Sequence, residues 1–351
     1  MIVDTRYMHR CIQLAQKGRG AVSPNPMVGA VLVHEDKIIG EGYHREYGQA
    51  HAEVNAIASV KDKSLLKHAT LYVSLEPCSH YGKTPPCAQL IIDSQIPNVV
   101  IGCLDPFPKV SGRGVRMLQE AGIKTKVGLL EQECLQLNKE FNKVQLAGRP
   151  YVYLKWAQSK DGFIDKARKD ANDLPTAISN DFTKLLVHKL RSEVDAIMVG
   201  TNTVLADNPS LTTRLWHGES PTRIVVDRTL RLPSDCNIHD HAVATIVFTE
   251  KEVVADSNVN LEYVQVKFDE NIFQSILKVL KAKGINSMMI EGGAKLLQSV
   301  INANLWDEAF VEIGCEPFLE GVKAPAIDWN MVSEERVWGD SKQVHLIKDQ
   351  L

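Results

Sequence analysis

One histidine and two cysteines from three separate stretches of the chain constrain its fold more than any other feature. His51 opens a His-Ala-Glu tripeptide, Cys78 follows a proline, and Cys87 follows two more prolines. One imidazole and two thiolates give a zinc ion three protein ligands and leave a fourth position open, as in catalytic zinc sites. The three segments must therefore meet in the folded protein.

Glu53 lies two residues beyond His51, so its carboxylate cannot easily bind the same ion but can handle protons beside it. His51 and Cys87 are both predicted where a loop meets a helix, and the positive end of a helix favours thiolate over thiol. Zinc lowers the pKa of a bound water to about 7. Glu53 is then suited to act as general base and general acid. A His-x-Glu motif with a later Pro-Cys is typical of zinc deaminases that act on nucleobase-like rings.

Each of these residues alone has an ordinary explanation, as a buried cysteine or a hydrogen-bonded core histidine. The cysteines are also separated by eight residues, 79–86, instead of the usual two. The combination with Glu53 favours zinc, and the wider loop could form part of a substrate pocket. A structural zinc would need a fourth ligand, for which His80 is the nearby candidate.

Length and composition indicate a two-domain globular enzyme of the cytoplasm. The chain has 351 residues, of which 44% are hydrophobic, and two domains are the natural expectation at this length. No apolar run reaches the roughly 18 residues of a membrane span, and residues 1–10 lack a signal peptide's apolar stretch. Seven scattered cysteines do not form a disulfide framework, which fits a reducing compartment.

The charge distribution argues against a nucleic-acid partner. The net charge is −3, with 17 Lys and Arg against 14 Asp and Glu in residues 1–145, and 23 against 29 in the remainder. Neither part has the basic stripe of a nucleic-acid binder. We therefore expect a small-molecule substrate, and neither a nucleic-acid nor a membrane partner.

Strand and helix patterns alternate in both halves, which predicts α/β sheets with helices on their faces. Residues 28–34 and 37–43 predict a hairpin, and residues 131–145 predict one helix. The turn-forming stretch 147–150 is the expected boundary. It divides the chain into domains 1–146 and 150–351.

Two features of the second half suggest a ligand site. Glu291-Gly292-Gly293 follows a predicted strand and precedes a helix, where bare N–H groups can meet a phosphate. This is not a G-x-G-x-x-G motif and more often marks a simple turn. Residues 200–209 predict a polar loop beyond a buried strand, where ligands of α/β sheets usually bind, although a solvated connection is an equal alternative.

Together these motifs resemble the family of bifunctional deaminase–reductases of riboflavin biosynthesis. The resemblance is carried by the following segments: Ser23-Pro24-Asn25-Pro26, Val28-Gly29, Gly42-Tyr43-His44, His51-Ala52-Glu53-Val54, Glu76-Pro77-Cys78-Ser79-His80, Thr84-Pro85-Pro86-Cys87, Asp105-Pro106 and Gly112-Arg113-Gly114. The long inter-cysteine loop is itself part of that family's pattern. The resemblance runs across the whole chain.

For the first half, the resemblance implies a cytidine-deaminase-like three-layer domain. Its zinc ligands would be His51, Cys78 and Cys87, and Glu53 would be catalytic. The substrate would be a diaminopyrimidinone that carries a ribosylamino 5′-phosphate. The resemblance implies that the pocket is lined by Asn25, His44, His80 and Thr84. We add Lys83 as a candidate contact to the phosphate. Without the family, Asn25 between two prolines would indicate a plain turn.

For the second half, the resemblance implies a dihydrofolate-reductase-like domain that uses NADPH to reduce the ribosyl side chain to ribityl. The substrate contacts would be Arg191, Leu211, Arg214 and Glu291. Two arginines suit a phosphate dianion. The cofactor contacts would be Ser159, Thr203, Asp207, Gly293, Ala294, Lys295, Leu296, Leu297, Gln298 and Ser299.

The second half departs from the family pattern at one place. Pro175 and Ala177 stand where the family usually has serine and tryptophan. The arginines remain, so we favour an active reductase over a second domain that only binds or dimerises. We also expect a homo-oligomer, either a dimer or a tetramer.

Overall fold

The computed structural model describes residues 3–80, 85–107, 111–168, 174–253 and 260–348. The chain separates into two compact units, residues 1–148 and 149–350. Both units are mixed α/β, as the alternating patterns predict. No helix in the described ranges is long and apolar enough to cross a membrane.

Within its described residues, the first unit has five strands and six α-helices. In chain order the strands β1 to β5 are Gly29–His34, Lys37–Tyr43, Thr70–Leu75, Asn98–Cys103 and Lys124–Val127. The helices α1 to α6 are Thr5–Ala15, Ala52–Ser59, Cys87–Asp93, Arg113–Glu120, Glu131–Leu137 and Lys139–Ala147.

These strands form one sheet with the order β2-β1-β3-β4-β5, in which β1 is antiparallel to β2 and β3 and the last three strands are parallel. Apolar side chains of α2, α3 and α4 pack on one face and those of α1 and α5 on the other. The unit is therefore three-layered. The predicted hairpin is confirmed, because β1 and β2 pair antiparallel around a two-residue turn with positive φ at Glu35 and Asp36, with one register shift after Leu32.

The prediction of one helix over 131–145 is wrong, because the helix is interrupted at Asn138. This buried amide accepts the backbone N–H of Met27 at 2.8 Å and donates to its carbonyl oxygen at 2.9 Å. Two hydrogen bonds to a segment 111 residues away replace local helix geometry. Such a long-range contact has no local sequence signal.

The second unit is built on a nine-stranded sheet. In chain order the strands β6 to β16 are Tyr151–Gln158, Phe163–Asp165, Ala196–Gly200, Thr222–Val226, Thr245–Thr249, Leu261–Gln265, Ser287–Gly292, Glu308–Ile313, Val322–Lys323, Val332–Trp338 and Ser341–Ile347. The helices α7 to α10 are Asp181–Glu193, Thr201–Asp207, Ile272–Ala282 and Ala294–Asn302.

The order of the large sheet is β11-β10-β9-β8-β12-β6-β13-β16-β15. The first seven strands in this order are parallel to one another. Strand β16 pairs antiparallel with both of its neighbours, β13 and β15. Helices α9 and α10 cover one face over the main core. The chain reverses its direction of winding around β8, β12 and β6, and the ends of such strands commonly form ligand sites.

The prediction of a polar loop over 200–209 is wrong in part, since Thr201–Asp207 forms α8 directly after β8. Val204 of this helix is buried in the core on the other face of the sheet. The apolar residues of this seven-residue stretch, 204–206, are adjacent and give no helical period, and tertiary packing supplies the missing stability.

Candidate metal centre and cofactor pocket

The three proposed zinc ligands converge at one end of the first sheet. His51 is the N-cap residue of α2, Cys78 follows β3, and Cys87 is the first residue of α3. The Nδ1 atom of His51 lies 3.3 Å from Cys87 Sγ and 3.7 Å from Cys78 Sγ. All three ligand atoms lie within 4.8 Å of one another.

These distances fit a zinc ion. Zinc–ligand bonds of about 2.0–2.3 Å at tetrahedral angles place a nitrogen about 3.5 Å from a sulfur. His51 is exposed, Cys78 half-buried and Cys87 buried, so the site opens on one side. His80 does not belong to this group of ligand atoms among the described residues, so a closed four-ligand site is not supported.

Local hydrogen bonds favour thiolate at Cys78. The Cys87 thiol, the His51 ring and the Cys87 backbone N–H, 3.2 Å away, lower the pKa of Cys78 to about 4 despite its partial burial. The same proximity, together with burial, raises the pKa of Cys87. Two neighbouring thiolates would repel each other. A metal ion between the two sulfurs would offset that repulsion and favour the thiolate form of both.

Glu53 lies in the first turn of α2 and is only 3% exposed. Burial and the nearby Cys78 thiolate raise the pKa of its carboxyl to about 7. No ion pair neutralises it among the described residues. A buried carboxyl that can both gain and lose a proton near neutral pH is suited to general acid–base chemistry.

Asn25 and His44 form a linked pair beside the proposed metal ligands. The His44 ring lies edge-on to His51 with centroids 5.4 Å apart. Its Nδ1 contacts the Ala50 carbonyl oxygen at 3.1 Å, and its Nε2 contacts Asn25 Nδ2 at 3.1 Å. A carbonyl needs a donor, so the ring proton belongs on Nδ1, and the neutral Nε2 accepts from the amide. His44 is buried and orients Asn25, whose amide oxygen has no side-chain or backbone donor among the described residues.

Sequence reasoning assigned no role to Glu76, yet its buried carboxylate anchors the segment that carries Cys78. It accepts four backbone N–H groups, from Asp105, Gly112, Gly114 and Val115, at 2.8–3.2 Å. The anion therefore sits at the start of α4, where helix N–H groups lack partners. Two of the other proposed pocket residues, Lys83 and Thr84, lie outside the described residues.

A large cavity opens in the second unit where β6, β8 and β12 end. Its volume is about 1070 Å³, which exceeds the usual range for a single small ligand. The proposed ligand contacts that line it are Thr203, Asp207, Arg191, Arg214, Glu291, Gly293, Ala294, Lys295, Leu296 and Leu297.

Four other proposed contacts do not line this cavity, namely Ser159, Leu211, Gln298 and Ser299. The Ser159 hydroxyl donates to Asp161 and accepts from the Phe163 N–H, so it stabilises a turn. Leu211 is buried in the core. Gln298 and Ser299 hydrogen-bond within the protein.

The cavity fits a phosphorylated cofactor at Gly292-Gly293, which opens α10. Gly292 has φ +152°, a conformation that side chains rarely adopt, and a Cβ at Gly293 would lie 3.1 Å from Thr203 Oγ1. Backbone N–H groups at such a helix start can bind phosphate closely. Pro175 and Ala177 line the same cavity, so the departure from the family pattern lies in the site itself.

Arg191 and Glu291, the residue before Gly292, form a mostly buried ion pair in the lining of the cavity. Nε and Nη2 of the arginine lie 3.1 and 2.7 Å from the two carboxylate oxygens. Burial opposes ionisation of Glu291, but the charge and hydrogen bonds of Arg191 outweigh it and lower the pKa of the carboxyl. Arg168 similarly bridges Asp165 and Asp207.

Comparison with known proteins assigns the two halves to two known domains. A family model described as the cytidine and deoxycytidylate deaminase zinc-binding region matches residues 1–103. A model described as the RibD C-terminal domain matches residues 150–325.

Relatives match this chain across both halves. Riboflavin biosynthesis protein RibD of Aquifex aeolicus is 40% identical over 323 residues, covering 91% of this chain and 89% of that protein. Its namesake from Bacillus amyloliquefaciens is 43% identical over 313 residues, covering 87% and 83%.

Solved structures agree over nearly the whole length. A diaminohydroxyphosphoribosylaminopyrimidine deaminase/5-amino-6-(5-phosphoribosylamino)uracil reductase from Thermotoga maritima is 36% identical with a TM-score of 0.88, covering 98% of both chains. RibD of Acinetobacter baumannii is 30% identical with a TM-score of 0.87, again covering 98% of both.

Proposed function

Because this chain belongs to the RibD family of bifunctional deaminase–reductases, we propose that one phosphorylated pyrimidine reacts first at the His51 centre and then in the second cavity. The substrate of the first step is 2,5-diamino-6-ribosylamino-4(3H)-pyrimidinone 5′-phosphate. The final product is 5-amino-6-ribitylaminouracil 5′-phosphate.

The chain is a zinc-dependent deaminase and an NADPH-dependent reductase of riboflavin biosynthesis. The leading alternative was a second domain without reductase activity. It is excluded, because residues 150–325 match the RibD C-terminal domain. A purely structural zinc in a binding protein is excluded by the same family membership.

In the proposed deamination, Asn25 and Glu53 have separate tasks. Asn25, held by His44, pairs with the pyrimidine edge and orients the amino-bearing carbon towards the metal centre. Zinc, when bound, activates water at neutral pH. Glu53 takes up a proton on the attacking side and delivers it to the departing ammonia, which its buried position near His51 and Cys78 supports.

In the proposed reduction, the chain's residues bind and orient the two ligands. The backbone at Gly293 and the start of α10 would hold the cofactor, which would supply a hydride to the first carbon of the ring-opened ribose imine while its nitrogen takes a proton from water. Arg214 binds the substrate phosphate, and the Arg191–Glu291 pair fixes the wall beside it.

The observation that carries the proposal is the set of three ligand atoms within 4.8 Å of one another beside buried Glu53. The test follows ammonia release and the 340 nm absorbance of NADPH in one reaction. Wild-type protein should release ammonia without NADPH and then oxidise NADPH once it is added. Ammonia release without any subsequent NADPH oxidation would contradict the second step.

Two variants separate the halves. Glu53→Gln should keep its zinc and lose ammonia release, yet still oxidise NADPH when given the deaminated intermediate. Arg214→Ala should keep ammonia release and lose NADPH oxidation. Retained deamination in Glu53→Gln would remove the role assigned to that carboxylate.

Assembly and compartment are further parts of the proposal. A homo-oligomer, dimer or tetramer, is supported by the family resemblance and is measurable by light scattering. A cytoplasmic location is supported by seven unpaired cysteines, which suit a reducing compartment.

A further inference from the structure

His188 is a buried histidine in the reductase cavity to which neither the motifs nor the proposed reaction assign a role. It lies on α7, one turn before Arg191, and is 6% exposed. It lines the cavity together with Lys155, Arg214 and Glu291. A buried histidine among cationic side chains needs a physical explanation.

A backbone hydrogen bond fixes the proton on this ring. The N–H of Arg214 donates to His188 Nδ1 over 3.0 Å. A ring nitrogen that accepts a hydrogen bond carries no proton, so the proton belongs on Nε2. Burial and the charges of Arg191 and Arg214 lower the pKa of His188, which keeps the imidazole neutral.

The Nε2–H of His188 has no hydrogen-bond partner within the described residues. The fully enclosed, unpaired side-chain atoms in those residues are Ser23 Oγ, Trp338 Nε1 and Ser341 Oγ. His188 Nε2 is not one of them, so this nitrogen is not sealed in the protein, and the residue that carries it lines the cavity.

The neighbouring arginines differ in how many donors they have left. Arg191 uses three of its five N–H groups within the protein, two on Glu291 and one on the Thr212 carbonyl oxygen. Arg214 donates from its guanidinium to Thr212 Oγ1. Most N–H groups of the Arg214 guanidinium therefore have no partner among the described residues. His188 accepts the backbone N–H of Arg214 and so holds the residue that carries this guanidinium.

We propose that His188 donates its Nε2–H to the phosphate group of the reductase substrate while its Nδ1 positions Arg214 for the same anion. This inference rests on the proposed function, which places that phosphate beside Arg214. A neutral donor adds a directed hydrogen bond without adding another positive charge to Lys155, Arg191 and Arg214. The residue thus determines specificity for a phosphorylated ribosyl side chain.

The test uses the full-length protein, NADPH and the deaminated pyrimidine with and without its 5′-phosphate. His188→Ala should raise KM for the phosphorylated substrate about 10- to 100-fold, the usual effect of one hydrogen bond to a charged group. KM for NADPH and KM for the dephosphorylated substrate should stay within about twofold.

Two further variants distinguish recognition from folding. His188→Gln should restore most of the affinity, because its amide can accept from Arg214 N–H and donate to phosphate. Lys189→Ala is the control, since this neighbour on α7 pairs with Glu193 outside the cavity lining. It should match wild type.

An equal rise in KM for both substrates, or a rise in KM for NADPH alone, would overturn the assignment. If wild-type protein oxidises no NADPH, the proposed function fails, and calorimetric titration with inorganic phosphate still tests His188. Weaker phosphate binding by His188→Ala than by wild type would then support it. Equal binding would refute it.

Discussion

The carboxylate of Glu76 accepts the backbone N–H of Gly114 over 2.8 Å, and a Cβ at Gly114 would lie 2.1 Å from the Pro77 carbonyl oxygen. The start of α4 is thus packed directly against the segment that leads into Cys78. The position of the proposed ligand Cys78 therefore depends on Glu76 and Gly114, neither of which is itself a proposed ligand.

Glu76→Gln should destabilise the first unit and weaken zinc binding. The amide replaces one acceptor oxygen with an NH₂ group that faces backbone N–H donors, so roughly 1–3 kcal/mol of unfolding free energy should be lost. Urea unfolding and competition with a chromogenic chelator measure the two effects. Glu120→Gln, at the exposed end of the same helix, is the control. Unchanged zinc affinity would show that Glu76 does not position Cys78.

Gly114→Ala should be more damaging than a change at Gly112. The added methyl group would overlap backbone oxygen, which cannot move without displacing Pro77. Gly112 has φ +76° but open space around its Cβ position, and asparagine tolerates that conformation. Gly112→Asn should therefore stay within about 1 kcal/mol of wild type, whereas Gly114→Ala should lose both stability and zinc. Similar unfolding midpoints for the two variants would contradict the close-packing argument.

Replacing either proposed cysteine ligand should remove zinc. Cys78→Ser and Cys87→Ser should each reduce the metal content of purified protein from about one zinc per chain to well below half, since serine is a poor zinc ligand at neutral pH. Cys315→Ser is the matched control, because this thiol is exposed and lies in the second unit. Full zinc content in the Cys78 or Cys87 variant would disprove its role as a ligand.

Ala177→Trp should improve cofactor binding. Ala177 lines the cavity at the position where the family pattern has tryptophan, and an aromatic contact is worth about 0.5–1.5 kcal/mol. KM for NADPH should therefore fall about 2- to 10-fold. Ala177→Leu adds apolar area without the aromatic ring and should have a smaller effect. No change in either variant would mean that the cofactor does not contact this position.

Asp161→Asn should change the acid limb of the stability profile. The Ser159 hydroxyl, with help from the Phe318 and Leu319 N–H groups, lowers the pKa of Asp161 to about 2 from 3.8. A lowered folded-state pKa stabilises the protein above about pH 4, and this contribution disappears as the pH falls towards 2. The variant should be less stable than wild type at pH 7, and the difference should shrink across this window. A constant difference from pH 7 to pH 2.5 would contradict the assignment.

Local sequence patterns were sufficient for the elements that carry their own signals. The β1–β2 hairpin follows from the strand patterns on either side of Glu35 and Asp36. Residue chemistry likewise predicts His51, Cys78, Cys87 and Glu53 as one site, because few functions need that combination, and the structure brings the first three together. The division of α5 from α6 at Asn138, the short helix α8 and the strands β14 to β16 were not predicted.

The residue types and their spacing predict the chemistry: a zinc donor set, an acid–base carboxylate beside it, and a second domain with a glycine pair suited to phosphate. Which polar residues support those groups depends on contacts made in the folded chain. Glu76 anchors the Cys78 segment through three N–H groups at the start of α4 and the N–H of Asp105. His188 is made a neutral donor by the Arg214 backbone. A proton's position and a carboxylate's partners depend on burial and on neighbours remote in sequence, which no local pattern records.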